Sequence, residues 1–400
     1  MPTFPSITLC MIAKNEADWI RQCLSSVKDL VNEIILVDTG STDETVSIAQ
    51  TFGAKIFIRP WDDDFSAPRN LSLSHASSDW IVVLDADEAF AAEDIQTIRE
   101  ATLGKNTCIE FAQRHYSNDV RLSGYEPVRG EFPNWERSYT GFFESSLCRL
   151  FPNHLGIEYR GRVHELVEQS IREKSFLSIK HSPVRIHHYG HTPEVKQKKK
   201  KGTLYTPLGA AKLVDNPDDW KGWFELGVEH NNNGLLNESV TAFTESIRQN
   251  SSYLSSWVNL GYVLCELGRF AEAETAQKNA LKLDGRSEEA YCNLGVVYLR
   301  TARFQESEIC FRRAVQIVPH YVNAICNLGK ALAFQKRFSE SVLAYSKALK
   351  ALPKCIPAKL DLTALYLSVG LLDEAKTHLT EVLSIAPNDE RAQALRSQFK

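Results

Sequence analysis

Asp85 and Asp87 close the run Trp80-Ile81-Val82-Val83-Leu84-Asp85-Ala86-Asp87-Glu88. Five apolar residues in a row read as a strand buried on both faces, as in a parallel sheet. Side chains alternate along a strand, so Asp85 and Asp87 are expected on one side of it. Open α/β sheets bind ligands just beyond the carboxyl ends of their strands. Two carboxylates in that place suit a hard divalent cation that carries a diphosphate as its other ligand. The plainer alternative is a helix N-terminus, where Asp and Glu are common.

Two more chemical clusters follow apolar runs. Met11-Ile12-Ala13-Lys14-Asn15-Glu16 leaves the first predicted strand. Val37-Asp38-Thr39-Gly40-Ser41-Thr42-Asp43 leaves the second. An acid at the end of a second strand is well placed to accept hydrogen bonds from a ribose or base. No G-x-G-x-x-G follows the first strand and no G-x-x-x-x-G-K-[ST] occurs, which disfavours a dinucleotide fold and a phosphate-binding loop of that type.

The elements that must hold these residues alternate. Strands are predicted at Ile7 to Ile12, Glu33 to Val37, Lys55 to Ile58 and Trp80 to Leu84. Helices are predicted at Glu16 to Leu30, Thr42 to Phe52 and Ala67 to His75. The first helix places Ile20, Cys23, Leu24, Val27 and Leu30 on one face. Such alternation implies a mostly parallel sheet with helices on both faces. The segment from Tyr116 to Phe143 carries seven aromatic rings among polar residues and glycines, and reads as too irregular for simple core strands.

The C-terminal half repeats. Leu-Gly pairs at Leu226-Gly227, Leu260-Gly261, Leu294-Gly295 and Leu328-Gly329 stand 34 residues apart, and the next step lands on Leu362-Thr363. Trp223, Trp257, Tyr291 and Ile325 precede the leucines by three, with Lys359 as the exception. Ser239, Ala273, Ser307, Ser341 and Ala375 form a small-residue series, and Pro319, Pro353 and Pro387 close the last three units. This period and pattern resemble the tetratricopeptide repeat. Small residues let paired helices approach closely, and proline stops the second of them. Tyr205 to Asp215 reads as an incomplete leading repeat.

Composition sets the outer bounds. The 400 residues, 43% hydrophobic and 24% charged, suit a two-domain globular chain. A formal charge of −4 argues against general nucleic-acid binding. No apolar stretch reaches the length needed to span a bilayer, and the N-terminus lacks a basic signal-peptide region. Nine cysteines without a C-x-x-C pair read as free buried thiols in a reducing cytoplasm.

Taken together, residues 6–200 resemble a family 2 glycosyltransferase of GT-A fold. The matching segments are Ala13-Lys14-Asn15-Glu16, Val37 to Asp43, Ala67-Pro68-Arg69-Asn70 and Leu84 to Glu88. Gly161-Arg162-Val163-His164-Glu165 and His188-Tyr189-Gly190 match the subgroup with C-terminal tetratricopeptide repeats. His191 departs from that subgroup, which often has tyrosine there. The resemblance implies an α/β GT-A domain over 1–202, a linker or incomplete capping repeat over 203–219, and an all-α solenoid of five repeats plus cap over 220–400.

It also implies roles. Ala13, Asn15, Glu16, Asp38, Arg69, Asp85 and Asp87 would bind a nucleoside-diphosphate sugar, with UDP as the expected nucleoside diphosphate. Asp87 and His188 would hold Mn²⁺ or Mg²⁺, with His187 left open as an alternative. Glu165 would be the general base of an inverting transfer. Plainer roles stay open: a capping aspartate for Asp38, a surface ion pair for Arg69, and a pairing with Arg160 or Arg162 for Glu165. Trp135 would face the acceptor. Asn259, Asn293 and Asn327 would form a ladder that holds an extended peptide, as in the animal O-linked N-acetylglucosamine transferase. Relatives of this architecture include peptide S-glycosyltransferases, so the acceptor is a peptide, a protein or a glycan, and the repeats can also take a protein partner. The lysine run Lys196 to Lys201 reads as a linker, a lid over the diphosphate, or a contact with anionic headgroups at the inner membrane face. The alternative to an enzyme is a repeat scaffold carrying a degenerate nucleotide-binding domain.

Overall fold

A computed structural model describes residues 4–120, 122, 124–136, 139–163, 165–190 and 201–399. It divides into two units, one of Met1–Asn118 with Gly130–Lys212 and one of Asp119–Arg129 with Leu213–Lys400. The segment Asp119–Arg129, with its two-residue strand β7 (Glu126–Pro127), groups with the repeats. Its Val120 is buried in a repeat core with Cys292, Phe311 and Val322.

The first unit is built on β1 (Ile7–Ala13), β2 (Glu33–Asp38), β3 (Lys55–Ile58), β4 (Trp80–Val83), β5 (Glu88–Phe90), β6 (Thr107–Ser117), β8 (Gly141–Pro152) and β9 (Ser178–His188). These run in the order β3-β2-β1-β4-β8-β6-β9-β5. The β3-β2-β1-β4 half is parallel, and β8 joins β4 antiparallel. Alternation along β4 feeds two cores. Trp80 and Val82 pack on one face with Leu9, Met11 and Leu24, while Ile81 and Val83 pack on the other with Cys10, Leu73 and Phe151. A strand buried on both faces needs such an unbroken apolar run.

Helices α1 (Ile20–Val27), α2 (Thr45–Thr51) and α3 (Ser66–Ser74) connect the parallel strands. The first two start later than expected, because the residues ahead of them hold one another. Asn15 sits at φ +57° and accepts from Thr42 N–H at 2.8 Å, and Asp43 accepts from Ala17 N–H at 3.1 Å and Thr45 N–H at 3.0 Å. The acidic pair differs too. β4 stops at Val83 and the chain turns at Ala86 and Asp87, so strand alternation does not govern Asp85 and Asp87. Tyr116, Phe142 and Phe143 lie in the long strands β6 and β8 rather than in irregular loop. Polar neighbours there mask the strand pattern.

Among the described residues of the second unit, five helix pairs recur at a 34-residue step, from Trp220–Asn232 with Leu236–Gln249 to Ile356–Ser368 with Leu372–Ile385. A Cβ on Gly295 would come within 2.7 Å of the Phe311 ring, so the close approach requires glycine. The small-residue series does more than save space. Ser239, Ser307 and Ser341 each donate a hydroxyl to the carbonyl of Gly227, Gly295 and Gly329, at 2.7, 2.8 and 2.7 Å. Lys359, the outlier of its series, is buried and pairs with Glu381. All nine cysteines are free and buried. No helix of the described residues is long and apolar enough to cross a membrane.

Candidate active site

Three segments meet beyond the ends of β1, β2 and β4. Ala13 ends β1, and its carbonyl accepts from Thr39 N–H at 3.0 Å. The Glu16 backbone donates to the Thr45 hydroxyl at 2.7 Å. Asp38 is buried and accepts from the Gly40 and Ser41 backbones at 3.1 and 3.0 Å. Asp38 caps no helix, since α2 begins only at Thr45; its carboxylate instead closes the turn that a ligand at this sheet edge would meet.

Segment 159–165 is stitched to α3. The Asn70 amide exchanges two hydrogen bonds with the Tyr159 backbone, at 2.8 and 2.9 Å, and the Ser66 hydroxyl donates to the Gly161 carbonyl at 2.6 Å. Gly161 takes φ +103°, which favours glycine. These bonds bring Glu165 to Arg69, whose Nε–H donates to Glu165 Oε1 at 2.6 Å and whose Nη2–H donates to Asp85 Oδ1 at 2.8 Å. Arg160 is engaged with Glu158 and Glu173, so the plainer alternative of a pairing between Glu165 and Arg160 is not seen, and the arginine at Glu165 is Arg69. Arg69 is itself no surface pair, being 7% exposed at its side chain.

Arg149 lies on the other side of Asp85. Its Nη2–H reaches Asp85 Oδ2 at 3.3 Å and Glu88 Oε1 at 3.1 Å. Burial works against ionisation of Asp85, but the Arg69 and Arg149 guanidiniums outweigh it and hold the carboxyl well below the usual range. Burial raises the Glu88 carboxyl, with Arg149 opposing. Arg69 Nη1, Arg149 Nε and the Tyr159 hydroxyl are buried without a hydrogen-bond partner among the described residues.

Asp87 and His188 form the second centre. β5 pairs with β9 so that Glu88 stands opposite His188, and Tyr189 N–H donates to the Asp87 carbonyl at 3.3 Å. That register brings His188 Nε2 to 3.5 Å from Asp87 Oδ1. A Cβ on Gly190 would come within 2.7 Å of Asp87 Oδ2 and closer still to His188 Nε2. The bare glycine therefore leaves a cradle against one hard oxygen donor and one imidazole, a donor set that suits Mn²⁺ or Mg²⁺. Among the described residues, no group of three or more histidine, cysteine or carboxylate side chains is arranged to hold a metal ion.

His187 faces away into an aromatic pocket. It stacks on Trp135 with centroids 4.7 Å apart, and its Nδ1 lies 2.8 Å from the Tyr116 hydroxyl. Burial pushes its pKa down to about 3, aided by the Arg114 charge. Trp135 is half-buried and its carbonyl accepts from the Tyr189 hydroxyl at 2.8 Å. In the repeats, Asn259 donates to the Ser255 carbonyl at 2.9 Å and Asn327 to Asn323 Oδ1 at 3.1 Å. These two and Asn293 are half-buried. Lys196 to Lys200, His164 and His191 lie outside the described residues.

Sequence reasoning passed over Arg149, Gln113, His115 and Ser145 as site residues. The signal was present in part: Gln113-Arg114-His115 is a polar run inside a strand, and all three are buried.

Residues 8–153 match the glycosyl transferase family 2 model, and residues 252–319 and 335–399 match two tetratricopeptide repeat models. The N-terminal unit carries a family 2 glycosyltransferase domain, and tetratricopeptide repeats follow it. The chain is 34% identical over 219 residues to a TPR repeat-containing protein of Synechococcus elongatus, covering 53% of this chain and 49% of that one. It is 30% identical over 227 residues to the prophage-derived glycosyltransferase SunS of Bacillus subtilis, covering 56% and 49%. An uncharacterized glycosyltransferase of Rickettsia felis is 41% identical over 87 residues, covering 22% and 30%. The chain thus spans about half the length of the first two relatives. Every site residue of the glycosyltransferase domain up to Arg149 lies inside the matched span, whereas Glu165 and His188 lie beyond it.

Proposed function

We propose that this chain is an inverting, divalent-metal-dependent glycosyltransferase that moves a sugar from a nucleoside diphosphate, UDP by preference, to a peptide, protein or glycan. The observation that carries the reading is the pair of adjoining centres, Arg69 with Asp85 and Glu165, and Asp87 with His188 over the Gly190 cradle. They lie where the strands of an open α/β sheet end, the usual ligand crevice of such folds.

Asp38, Asn15, Glu16 and the Ala13 carbonyl shape the edge that takes base and ribose. Asp85, locked between two guanidiniums, faces the ribose and the metal shell. Asp87 and His188 would hold the cation, a hard ion that would also take oxygen ligands from a diphosphate. Such an ion offsets charge on the leaving nucleoside diphosphate. Glu165 takes the acceptor's proton, and Arg69 fixes the direction of its carboxylate. Trp135 borders the acceptor side, and the repeats, with Asn259, Asn293 and Asn327, hold acceptor or partner.

The test is hydrolysis of nucleoside-diphosphate sugars by the full chain, with Mn²⁺ and with chelator. Mn²⁺-dependent release of one nucleoside diphosphate, lost in Asp87→Ala, supports the reading. No release from any donor by a folded chain favours the repeat scaffold with a degenerate domain.

A further inference from the structure

Asp85, Ala86, Asp87 and Glu88 make one tight turn, and it is closed twice. Glu88 N–H donates to the Asp85 carbonyl at 3.0 Å, the bond of a β-turn. Asp85 N–H donates in return to Glu88 Oε2 at 2.8 Å. Glu88 Oε1 accepts from the Gln113 amide and from Arg149 Nη2, the latter at 3.1 Å. Arg149 Nη2 also reaches Asp85 Oδ2 at 3.3 Å. Among the described residues, both hydrogen bonds of the Arg149 side chain therefore go to this turn.

The register of β8 accounts for the reach of Arg149. Across β6, Ile109 stands opposite Leu150 and Glu110 opposite Cys148, so Arg149 is an extra residue, a β-bulge. Packing shows the same step. Cys148 and Phe151 lie in the core on one face of the sheet and Leu150 in the core on the other, whereas a regular strand would put Cys148 and Leu150 on one face. A bulge disrupts the ladder and re-aims a side chain. Here it turns an arginine side chain that is 6% exposed toward a glutamate side chain that is 0% exposed. A buried ion pair is a weak source of stability, because desolvating both charges offsets their attraction. The consequence specific to this pair falls on Asp85, whose side chain is 33% exposed and is the one of the three that a ligand can reach. Arg69 holds Asp85 Oδ1 and Arg149 holds Oδ2, so the carboxylate cannot rotate without giving up one of them.

We propose that Glu88 and Arg149 are positioning residues, a buried pair brought together by the β8 bulge that fixes the turn and the direction of the Asp85 carboxylate. The inference rests on the reading of Asp85 as a residue of the nucleotide-sugar site, and extends it to two side chains that the ligand does not touch. Partners one step removed from a metal site commonly set ligand orientation and affinity.

The experiment has two arms, both on the full chain. Changing Glu88 or Arg149 to a neutral residue alone leaves a buried charge unmatched, whereas removing both charges is often neutral for stability. The double variant Glu88→Gln with Arg149→Met also keeps an acceptor for the Asp85 N–H. Calorimetric titration with UDP and MnCl₂, below the thermal midpoint, should show binding about 10–100-fold weaker than the parent, with a midpoint within a few degrees of it. Arg149→Lys, which keeps the buried charge but not the planar fork, should fold and bind UDP several-fold more weakly. UDP binding at the parent's level by either folded variant overturns the proposal. The second arm compares crystal structures of the metal-free parent and the variants. Asp85 held by both arginines in the parent and turned away in the variants is expected, and an unmoved Asp85 overturns the proposal. If the parent binds no UDP, the glycosyltransferase reading fails, and the position of Asp85 alone decides the role of the pair.

Discussion

Arg69 and Glu165 lie 96 positions apart in the chain, yet the Nε–H of one donates to Oε1 of the other at 2.6 Å. The same guanidinium holds Asp85, so one buried arginine sets the spacing of two carboxylates with different proposed tasks. A lysine ammonium is a point charge without the rigid planar fork that sets this spacing. Arg69→Lys should therefore fold but lose on the order of 10²-fold in kcat, the scale of a misplaced reacting group. Steady-state kinetics with thermal unfolding of the same sample check this. Unchanged kcat would remove Arg69 from the site.

Gly190 offers a test that deletes no donor. An added Cβ would enter the space between His188 Nε2 and Asp87 Oδ2. Gly190→Ala should cost about 1–3 kcal/mol of stability, as overpacking does. It should also weaken Mn²⁺-dependent nucleotide binding about 10–100-fold. Binding at the parent's level would show that the cradle holds no ion.

The repeats make an independent prediction. A Cβ on Gly295 would run into the Phe311 ring, and the Gly295 carbonyl accepts from Ser307. Gly295→Ala should destabilise the repeats by about 1–3 kcal/mol, and Ser307→Ala by about 1 kcal/mol. Urea unfolding followed by circular dichroism reads both. Neither change should alter nucleotide binding by the glycosyltransferase domain.

Glu33 ties three strands together at the opposite end of the sheet. Burial opposes its ionisation, but Lys55, the Ser77 backbone and the Thr8 and Ser77 hydroxyls outweigh it and hold its pKa at about 2. A carboxyl depressed by folding adds stability above its unfolded pKa and loses it as pH falls through the folded value. Glu33→Gln should thus cost about 1 kcal/mol near neutral pH. The difference from the parent should shrink between about pH 4.5 and pH 2. A difference independent of pH would show that the charge contributes nothing.

Much of this was legible in the chain. The 34-residue step gives helix pairs at the same step, because glycine, small residue and proline each act within one unit. The parallel half of the sheet follows from unbroken apolar runs such as Trp80 to Leu84. What local reasoning missed depends on long-range register. Strand alternation does not describe Asp85 and Asp87, because the chain turns between β4 and β5 to meet β9. The place of His188 beside His115 follows from parallel pairing across β6 and β9. Arg149, an unremarkable strand arginine by itself, becomes a site residue only because β8 lies against β4.

The most direct test of the proposed activity is calorimetric titration of the full chain with UDP, GDP and dTDP, each with Mn²⁺ and with chelator. One nucleotide, expected to be UDP, should bind with Mn²⁺, bind far more weakly with chelator, and fail to bind Asp87→Ala. No binding of any of the three by a folded protein, or binding indifferent to both metal and Asp87, would contradict the metal-dependent glycosyltransferase.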